Sequence, residues 1–399
     1  MKKTVAIIII CTMFLTTFSC VGVYGQKSDI QSGFEIVLNG VKTDYNSVIH
    51  GQTHCVPMRG IFETMGASVF YRSRDHKILV LTRDGDIIEH IIGDVTMTMN
   101  GAEQVFEHPS VLENNEAYIP IDMVSEALCP DEISYDNRQL SIQKYLFMSD
   151  YHKMIQEVLD VCKDSNFYPE QFQRYINYHI KMPAYTVREA VFRVNLGLDY
   201  PFYENVTTIG QPYDLLVLVN KYNQLPSDFE QYNLVNMNRA YTASDAKQYL
   251  LAGVAYEKYI EMADAARNDG LSMRVVSTYR TENYQRSLYN NKVRATGKVN
   301  ADNYSARPGF SEHQTGLAVD INSTRGSFEY TAEFRWLQQH AHEYGFILRY
   351  PKGKEWITGY SYEPWHYRYV GVDAAKIIYE EGITYEEYYA KYVSVNEFR

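Results

Sequence analysis

Along residues 34–143, apolar and polar positions follow a short period. Segments such as Lys77-Ile-Leu-Val-Leu81 read as half-buried strands, and Asn39-Gly40, Asp84-Gly85 and Asn100-Gly101 stand as turn signals. The pattern occurs twice. Asn39-Gly40 recurs as Asn100-Gly101, and Val56-Pro57-Met58 as Ile119-Pro120-Ile121, with Glu63 and Glu126 spaced like the two prolines. Each copy predicts a short helix (59–65 and 122–128) and then an extended hairpin (67–81 and 132–143). From residue 145 the period lengthens to that of a helix. Residues 151–162, 169–180 and 186–197 read as helices, and 205–225 returns to extended and loop character. The 145–212 stretch is expected to be a helical connector packed on the domain C-terminal to it.

Residues 213–385 mix both periods. Helices are expected at 243–268 (capped by Ser244), 282–296 and 332–344, and a terminal amphipathic helix at 384–392, where Thr384 and Glu387 have capping-box spacing. Strands are expected at 273–277, 316–321 and 365–370. The fold class is α+β.

Composition narrows the setting. The chain has 399 residues, enough for two or three domains, with 45% hydrophobic residues and a formal charge of −11. No Lys/Arg run is present, which argues against a nucleic-acid partner. Lys2 and Lys3 precede an apolar stretch, 4–18, of signal-peptide length. Val23-Tyr24-Gly25 offers a cleavage site, so residues 1–25 are expected to be a signal peptide and the mature chain secreted or held at the cell surface. A lipid anchor on Cys20 is the alternative reading. Beyond the leader, Cys55, Cys129 and Cys162 form neither a disulfide framework nor a CxxC site and read as small buried hydrophobes, with a Cys55–Cys129 bridge as the alternative. His50, His54, His76, His90 and His108 are scattered without ligand spacing and read as solvated or capping side chains.

The chemistry concentrates in two segments. In Ser311-Glu-His-Gln-Thr-Gly-Leu-Ala-Val-Asp320, alternation puts Leu317, Val319 and Ile321 on a core face, and Gly316, Ala318 and Asp320 on a face that is small except for its carboxylate. Such a face leaves room for a metal ion and a substrate backbone. His313 lies just before the strand, where a turn at Gly316 can fold its imidazole back. In Glu363-Pro-Trp-His366 the carboxylate and imidazole would point apart on a straight strand, but Pro364 disfavours one, and a bend brings both to one site. Two histidines, one carboxylate and an open position make a catalytic zinc set, and a further carboxylate can serve as general base. His340 and His342, two apart on a helix, do not share a face and are not expected to bind a second metal. Glycine-rich phosphate loops and a GxSxG elbow are absent from the sequence.

Taken together, these segments resemble the LAS class of zinc peptidases and, within it, the VanY-type D-alanyl-D-alanine carboxypeptidases. The likeness extends through Ser277-Thr-Tyr-Arg280, Ala306-Arg-Pro-Gly-Phe310, Tyr344-Gly-Phe-Ile-Leu-Arg-Tyr-Pro-Lys-Gly-Lys354, Tyr362-Glu-Pro-Trp-His-Tyr-Arg-Tyr-Val-Gly371 and Asn220-Lys-Tyr-Asn-Gln-Leu-Pro226. It implies a zinc peptidase domain over 213–385, with a small antiparallel sheet flanked by helices. The ligands would be His313, Asp320 and His366 and the general base Glu363. Arg280 would orient substrate and steady the oxyanion, and Ser311 and Gln285 would contact the substrate carboxylate. Residues 34–143 resemble the copper amine oxidase N-terminal-like domain, which occurs as a stalk on secreted proteins. Its role here is expected to be a spacer or wall-binding module, without a catalytic metal.

The expected activity is removal of the C-terminal D-alanine from peptidoglycan stem peptides, with Zn2+ as cofactor. The expected partners are peptidoglycan stem peptides, with association at the cell wall or membrane surface as a further option, and no protein partner is expected. The same motifs serve an L,D-carboxypeptidase acting on tetrapeptide stems. A non-catalytic wall-binding module is the reading from a different class, and its mark, loss of Glu363 or a ligand, is absent from the sequence.

Overall fold

Asn39 and Asn100 adopt φ of 49° and 53°, and Gly40 and Gly101 follow at 79° and 81°. Two successive positive φ angles are what a two-residue primed hairpin turn requires, and Asn-Gly supplies them with little strain. The turns join strand Glu35–Leu38 to Val41–Asn46, and Thr96–Met99 to Ala102–Val105. In the computed structural model the described residues are 33–136, 138–144, 149–164, 167–245 and 247–394. The expected signal peptide and Cys20 lie outside them. Among the described residues no helix is long and apolar enough to cross a membrane.

The described chain divides into two compact units. One runs to Lys163 and includes Tyr168–Ile176; the other comprises Asp164–Phe167 and the chain from Asn177 onward. In the first, strand Thr53–Pro57 enters helix Met58–Thr64, and strand Glu116–Pro120 enters helix Ile121–Leu128. The two strands pair antiparallel with Val56 opposite Ile119. The hairpins Ser68–Arg72/Lys77–Leu81 and Glu132–Asp136/Gln139–Gln143 follow their helices. Ile61, Phe62, Met123 and Val124 on the helices are buried with Ile36, Leu38, Val80, Leu140 and Ile142 in one core. Among the described residues no disulfide links Cys55, Cys129 and Cys162. Cys55 and Cys162 are buried, but Cys129, in a left-handed conformation after helix Ile121–Leu128, is exposed. His90 is buried and bridges Thr96 O at 2.7 Å and Ser110 Oγ at 2.6 Å.

The stretch expected to connect the domains is divided between the units. Helix Asp150–Asp160, capped by Ser149, belongs to the first; helix Val187–Asn195, opened by a Thr186/Glu189 capping box, belongs to the second.

In the second unit a four-stranded antiparallel sheet has the order Val275–Ser277, Ala318–Ile321, His366–Tyr369, Phe346–Leu348. Leu317, Val319 and Ile321 enter its core, as alternation requires. The core is shared with helices Gly253–Asn268 and Ala332–His340. The first of these begins ten residues later than expected, and Ser244 is not its cap. Leu250–Ala252 is instead a strand, with Leu251 opposite Val235, and Leu250 O accepts from Tyr279 N. Helical propensity across 243–252 yields to these pairings, as tertiary context often dictates. The second helix tightens into a 3-10 turn over Ala341–Tyr344 and ends at left-handed Gly345. The capping box at Thr384 and Glu387 forms, and helix Tyr385–Tyr388 passes into a π turn over Tyr389–Val393.

Candidate active site

Strand register builds the site. Asp320 lies directly opposite His366 on one neighbouring strand and Ser277 on the other, so the three side chains form a row across one sheet face. His313 comes from the 3-10 turn Glu312–Thr315, which ends at Gly316 with φ of 68°. A Cβ there would stand 2.9 Å from Leu234 Cδ2 and 3.2 Å from the backbone nitrogen of Ala252. Only glycine combines that angle with that approach, and the resulting bend returns His313 to the row. Glu363 reaches it because Pro364 breaks the approach to the last strand. Its backbone N–H donates to Tyr350 O, and its carbonyl accepts from His366 N.

Three donor atoms converge. His313 Nδ1 donates to Thr278 O at 2.7 Å, leaving the Nε2 lone pair free, 3.5 Å from Asp320 Oδ1. His366 Nδ1 is 3.2 Å from the same oxygen. Ligand atoms of a tetrahedral zinc ion at ~2.0–2.2 Å stand about 3.4 Å apart, so both separations match edges of such a tetrahedron. Asp320 Oδ1 is buried without a hydrogen bond, although its partner Oδ2 accepts from Arg280 Nη2 at 2.9 Å. A buried carboxylate oxygen left bare is costly unless a cation meets it. Among the described residues His313, Asp320 and His366 are the one group able to hold a metal ion, and their donors fit Zn2+.

Electrostatics agree with that fit. Burial, reinforced by Arg280, lowers His313 to about 4, so its ring is neutral with a lone pair to give. Burial opposes charge on Asp320, but His313, His366 and Arg280 outweigh it and hold the carboxylate ionised. His366 is likewise disfavoured by burial, yet Asp320 and Glu312 carry it up to about 9. Without a metal this ring is cationic, and an ion at the donors would take the place of its proton. Burial raises Glu363 to about 7. Its Oε2 stands 3.7 Å from His366 Nδ1, and no hydrogen bond between described residues ties its carboxylate down. An untethered carboxylate poised near neutrality beside a ligand set suits a general base.

These groups line a cavity of about 410 Å3. Arg280 is braced in its wall: Nε and Nη2 donate to Ser277 Oγ at 3.0 and 2.8 Å, Nη2 also to Asp320, and Nη1 to Gln285 Oε1 at 3.3 Å. Gln285 is buried, and its amide donates to Ala306 O at 2.8 Å. Ser311 is buried at the mouth of the metal-ligand turn, and Lys292 and Tyr304 complete the rim. All seven residues picked from the sequence thus lie around this one cavity. His340 and His342 do not; His342 stacks on Tyr379 at 3.7 Å.

Two features escaped sequence reasoning. Lys221 is a buried cation whose ammonium donates to Asp302 O at 2.7 Å and to Gly359 O, joining helix Lys298–Tyr304 to the residue that ends helix Glu355–Thr358. Burial lowers it to about 8, and Phe202, Tyr203 and Tyr360 surround it. Glu312, between Ser311 and His313, is buried against Arg349 and Arg368. The sequence signal for both was only that a charge stood inside a quoted motif.

Comparison with known proteins places this architecture. A family model described as VanY, D-alanyl-D-alanine carboxypeptidase, matches residues 248–372. A putative carboxypeptidase, YodJ, of Bacillus subtilis is 42% identical over 196 residues, 47% of this chain and 71% of that protein. The chain belongs to the VanY family. Within it, the D-alanyl-D-alanine carboxypeptidase of Enterococcus faecalis is 40% identical over 185 residues, covering 43% of this chain and 65% of the relative. A solved vancomycin-resistance D,D-pentapeptidase VanY, described in complex with Zn(II), shares 39% identity over 43% of this chain and 97% of its own, with a TM-score of 0.38. Outside the VanY region, a copper amine oxidase N-terminal domain model matches residues 37–143.

Proposed function

We propose that this chain is an exported zinc carboxypeptidase that removes the terminal D-alanine from peptidoglycan stem peptides. The observation that carries the reading is the convergence of three potential ligand atoms, from His313, Asp320 and His366, beside an untethered carboxylate, Glu363, whose basicity burial has raised. When bound, zinc supplies a Lewis acid for the scissile carbonyl and acidifies the attacking water. Glu363 accepts that water's proton and delivers it to the leaving amine. Arg280 is held rigid by Ser277, Asp320 and Gln285, so its guanidinium presents fixed charge where the oxyanion develops. In this reading Ser311 and Arg280, which line the same cavity, meet the substrate's terminal carboxylate. Gln285 acts with them, its amide spanning Arg280 and the Ala306 carbonyl.

Export is supported by Lys2, Lys3 and the apolar stretch after them. In this reading residues 34–143 are a spacer or wall-binding stalk. Metal dependence is the test. The purified protein is expected to hold one zinc per chain and to lose peptide hydrolysis on chelation, with recovery on zinc addition. His313→Ala, Asp320→Ala and His366→Ala should each lose zinc. Full zinc occupancy in the His366→Ala variant would remove that residue from the ligand set, and hydrolysis indifferent to chelator would refute the metal reading.

A further inference from the structure

Behind the metal-ligand row lies a group of charges that the proposed chemistry does not use. Glu312, Arg349, Arg368 and Glu386 are buried, and both arginine side chains are wholly inaccessible. Arg349 donates from Nε to Glu312 Oε1 at 2.7 Å, and from Nη1 and Nη2 to Glu386 at 2.9 and 2.6 Å. Arg368 donates from Nη1 to Glu312 Oε1 at 3.1 Å and anchors itself on Tyr369 O, Leu215 O and Val217 O. Two cations and two anions balance, but desolvating four charges consumes most of what their pairing returns. Stability alone is therefore a poor reason for the group. Its geometry offers a better one.

Both arginines hold the same oxygen of Glu312. The other, Oε2, is buried with no hydrogen-bond partner and stands 3.6 Å from His366 Nε2, which is buried and equally bare. The opposite ring nitrogen, Nδ1, is the one turned to Asp320 Oδ1. If Nδ1 gives its lone pair to a metal, the ring proton must sit on Nε2, and Glu312 Oε2 is the acceptor facing it. Tyr350 closes the ring's other flank at 4.9 Å between centroids.

We propose that Glu312 is the positioning residue of His366: held by Arg349 and Arg368 through Oε1, it accepts the Nε2–H through Oε2 and so fixes the tautomer and angle with which Nδ1 meets the metal. The inference rests on the zinc reading above and adds a residue to it. His313 has the parallel arrangement with a neutral acceptor, Thr278 O at 2.7 Å. The two rings are thus oriented by different means, a backbone carbonyl for one and a carboxylate for the other. A carboxylate acceptor also makes the ligating nitrogen a stronger donor.

Glu312→Gln tests it in the full chain. Arg349 and Arg368 both need an acceptor, so the amide oxygen stays with them and its NH2 turns to His366, donor against donor. Zinc affinity, measured by competition with a chromophoric chelator, is expected to weaken by about 10–100-fold. The metal-free variant should keep the wild-type circular dichroism. With Co2+ in place of zinc, the visible ligand-field spectrum should change in the variant, a signature that a purely structural role would not move. Unchanged zinc affinity and an unchanged cobalt spectrum would overturn the inference. Should the variant fail to fold, nitrogen-15 NMR of the zinc-loaded wild type decides: a protonated Nε2 on His366 supports the inference, and a metal-bound Nε2 overturns it. Wild-type protein that takes up no zinc would overturn the metal reading and this inference together; uptake indifferent to Glu312→Gln overturns this inference alone.

Discussion

Replacing Glu363 with glutamine changes one atom and asks whether a proton acceptor is needed there. The carboxylate belongs to no hydrogen-bond network among the described residues, and its Oε2 stands 3.7 Å from His366 Nδ1. The isosteric amide therefore leaves packing and ligand row in place, and the effect should fall on turnover. Burial raises Glu363 to about 7 in the metal-free protein, close enough to neutral pH for its base form to be available. The ionisation factor is small, and the general-base contribution of roughly 10²–10⁴ is almost fully exposed to the substitution. That range corresponds to about 3–5 kcal/mol of transition-state stabilisation. The assay is release of D-alanine from a synthetic pentapeptide stem, with zinc content and thermal midpoint measured on the same sample. The expected result is kcat lower by at least 10² with zinc and stability unchanged. A variant that keeps zinc and loses less than tenfold in kcat would refute the assignment of Glu363 as base.

Three further outcomes are expected from the same geometry. Gly316→Ala must place a Cβ at φ of 68° against the Ala252 backbone, a cost of about 1–2 kcal/mol from the left-handed conformation alone; both thermal stability and zinc affinity should fall, because the strained turn carries His313. Arg280→Lys replaces the planar fork, whose separate nitrogens reach Ser277, Asp320 and Gln285, with a single point charge, so kcat/KM should drop by about 10–100-fold; a loss mainly in KM on free-acid peptides, absent on amidated ones, would assign the arginine to the substrate carboxylate. In pH profiles kcat/KM should fall as Glu363 protonates, with an acid limb at or below about 7 because the metal's charge draws the group down from its metal-free value, and an acid limb surviving unchanged in Glu363→Gln would contradict the assignment.

The site was more legible than the elements around it, for physical reasons. A zinc set needs particular side-chain chemistry, and His313, Asp320, Glu363 and His366 carry it in their identities; alternation then fixed which face Asp320 shares with the cavity. The bend at Pro364 and the turn at Gly316 were readable because each residue type restricts the backbone by itself. Helix onset at Gly253 was not, because Leu250–Ala252 is held by pairing with Leu234–Asn236, a long-range contact that local period does not encode. Glu312 shows the same limit at the level of one side chain. Its position between Ser311 and His313 carries no mark of burial in the sequence. Its burial depends on Arg349 and Arg368, which approach from elsewhere in the chain. Gln285 illustrates a subtler case: its place beside the cavity came from the family likeness, but its bracing of Arg280 against Ala306 needed coordinates. Lys221 read as part of an opening motif, and its burial among three aromatic rings was invisible.

The central claim is tested most directly by what leaves the substrate. Purified zinc-loaded protein should be incubated with a defined pentapeptide stem ending in D-alanyl-D-alanine and with the tetrapeptide stem one residue shorter, and the products resolved by mass spectrometry. The account predicts loss of a single D-alanine from the pentapeptide, abolished by chelator and by Glu363→Gln, with the tetrapeptide product accumulating. Cleavage of the tetrapeptide alone would replace the D,D reading with an L,D one, and a zinc-loaded, folded protein that cleaves neither stem would contradict the claim that this cavity is a peptidase site.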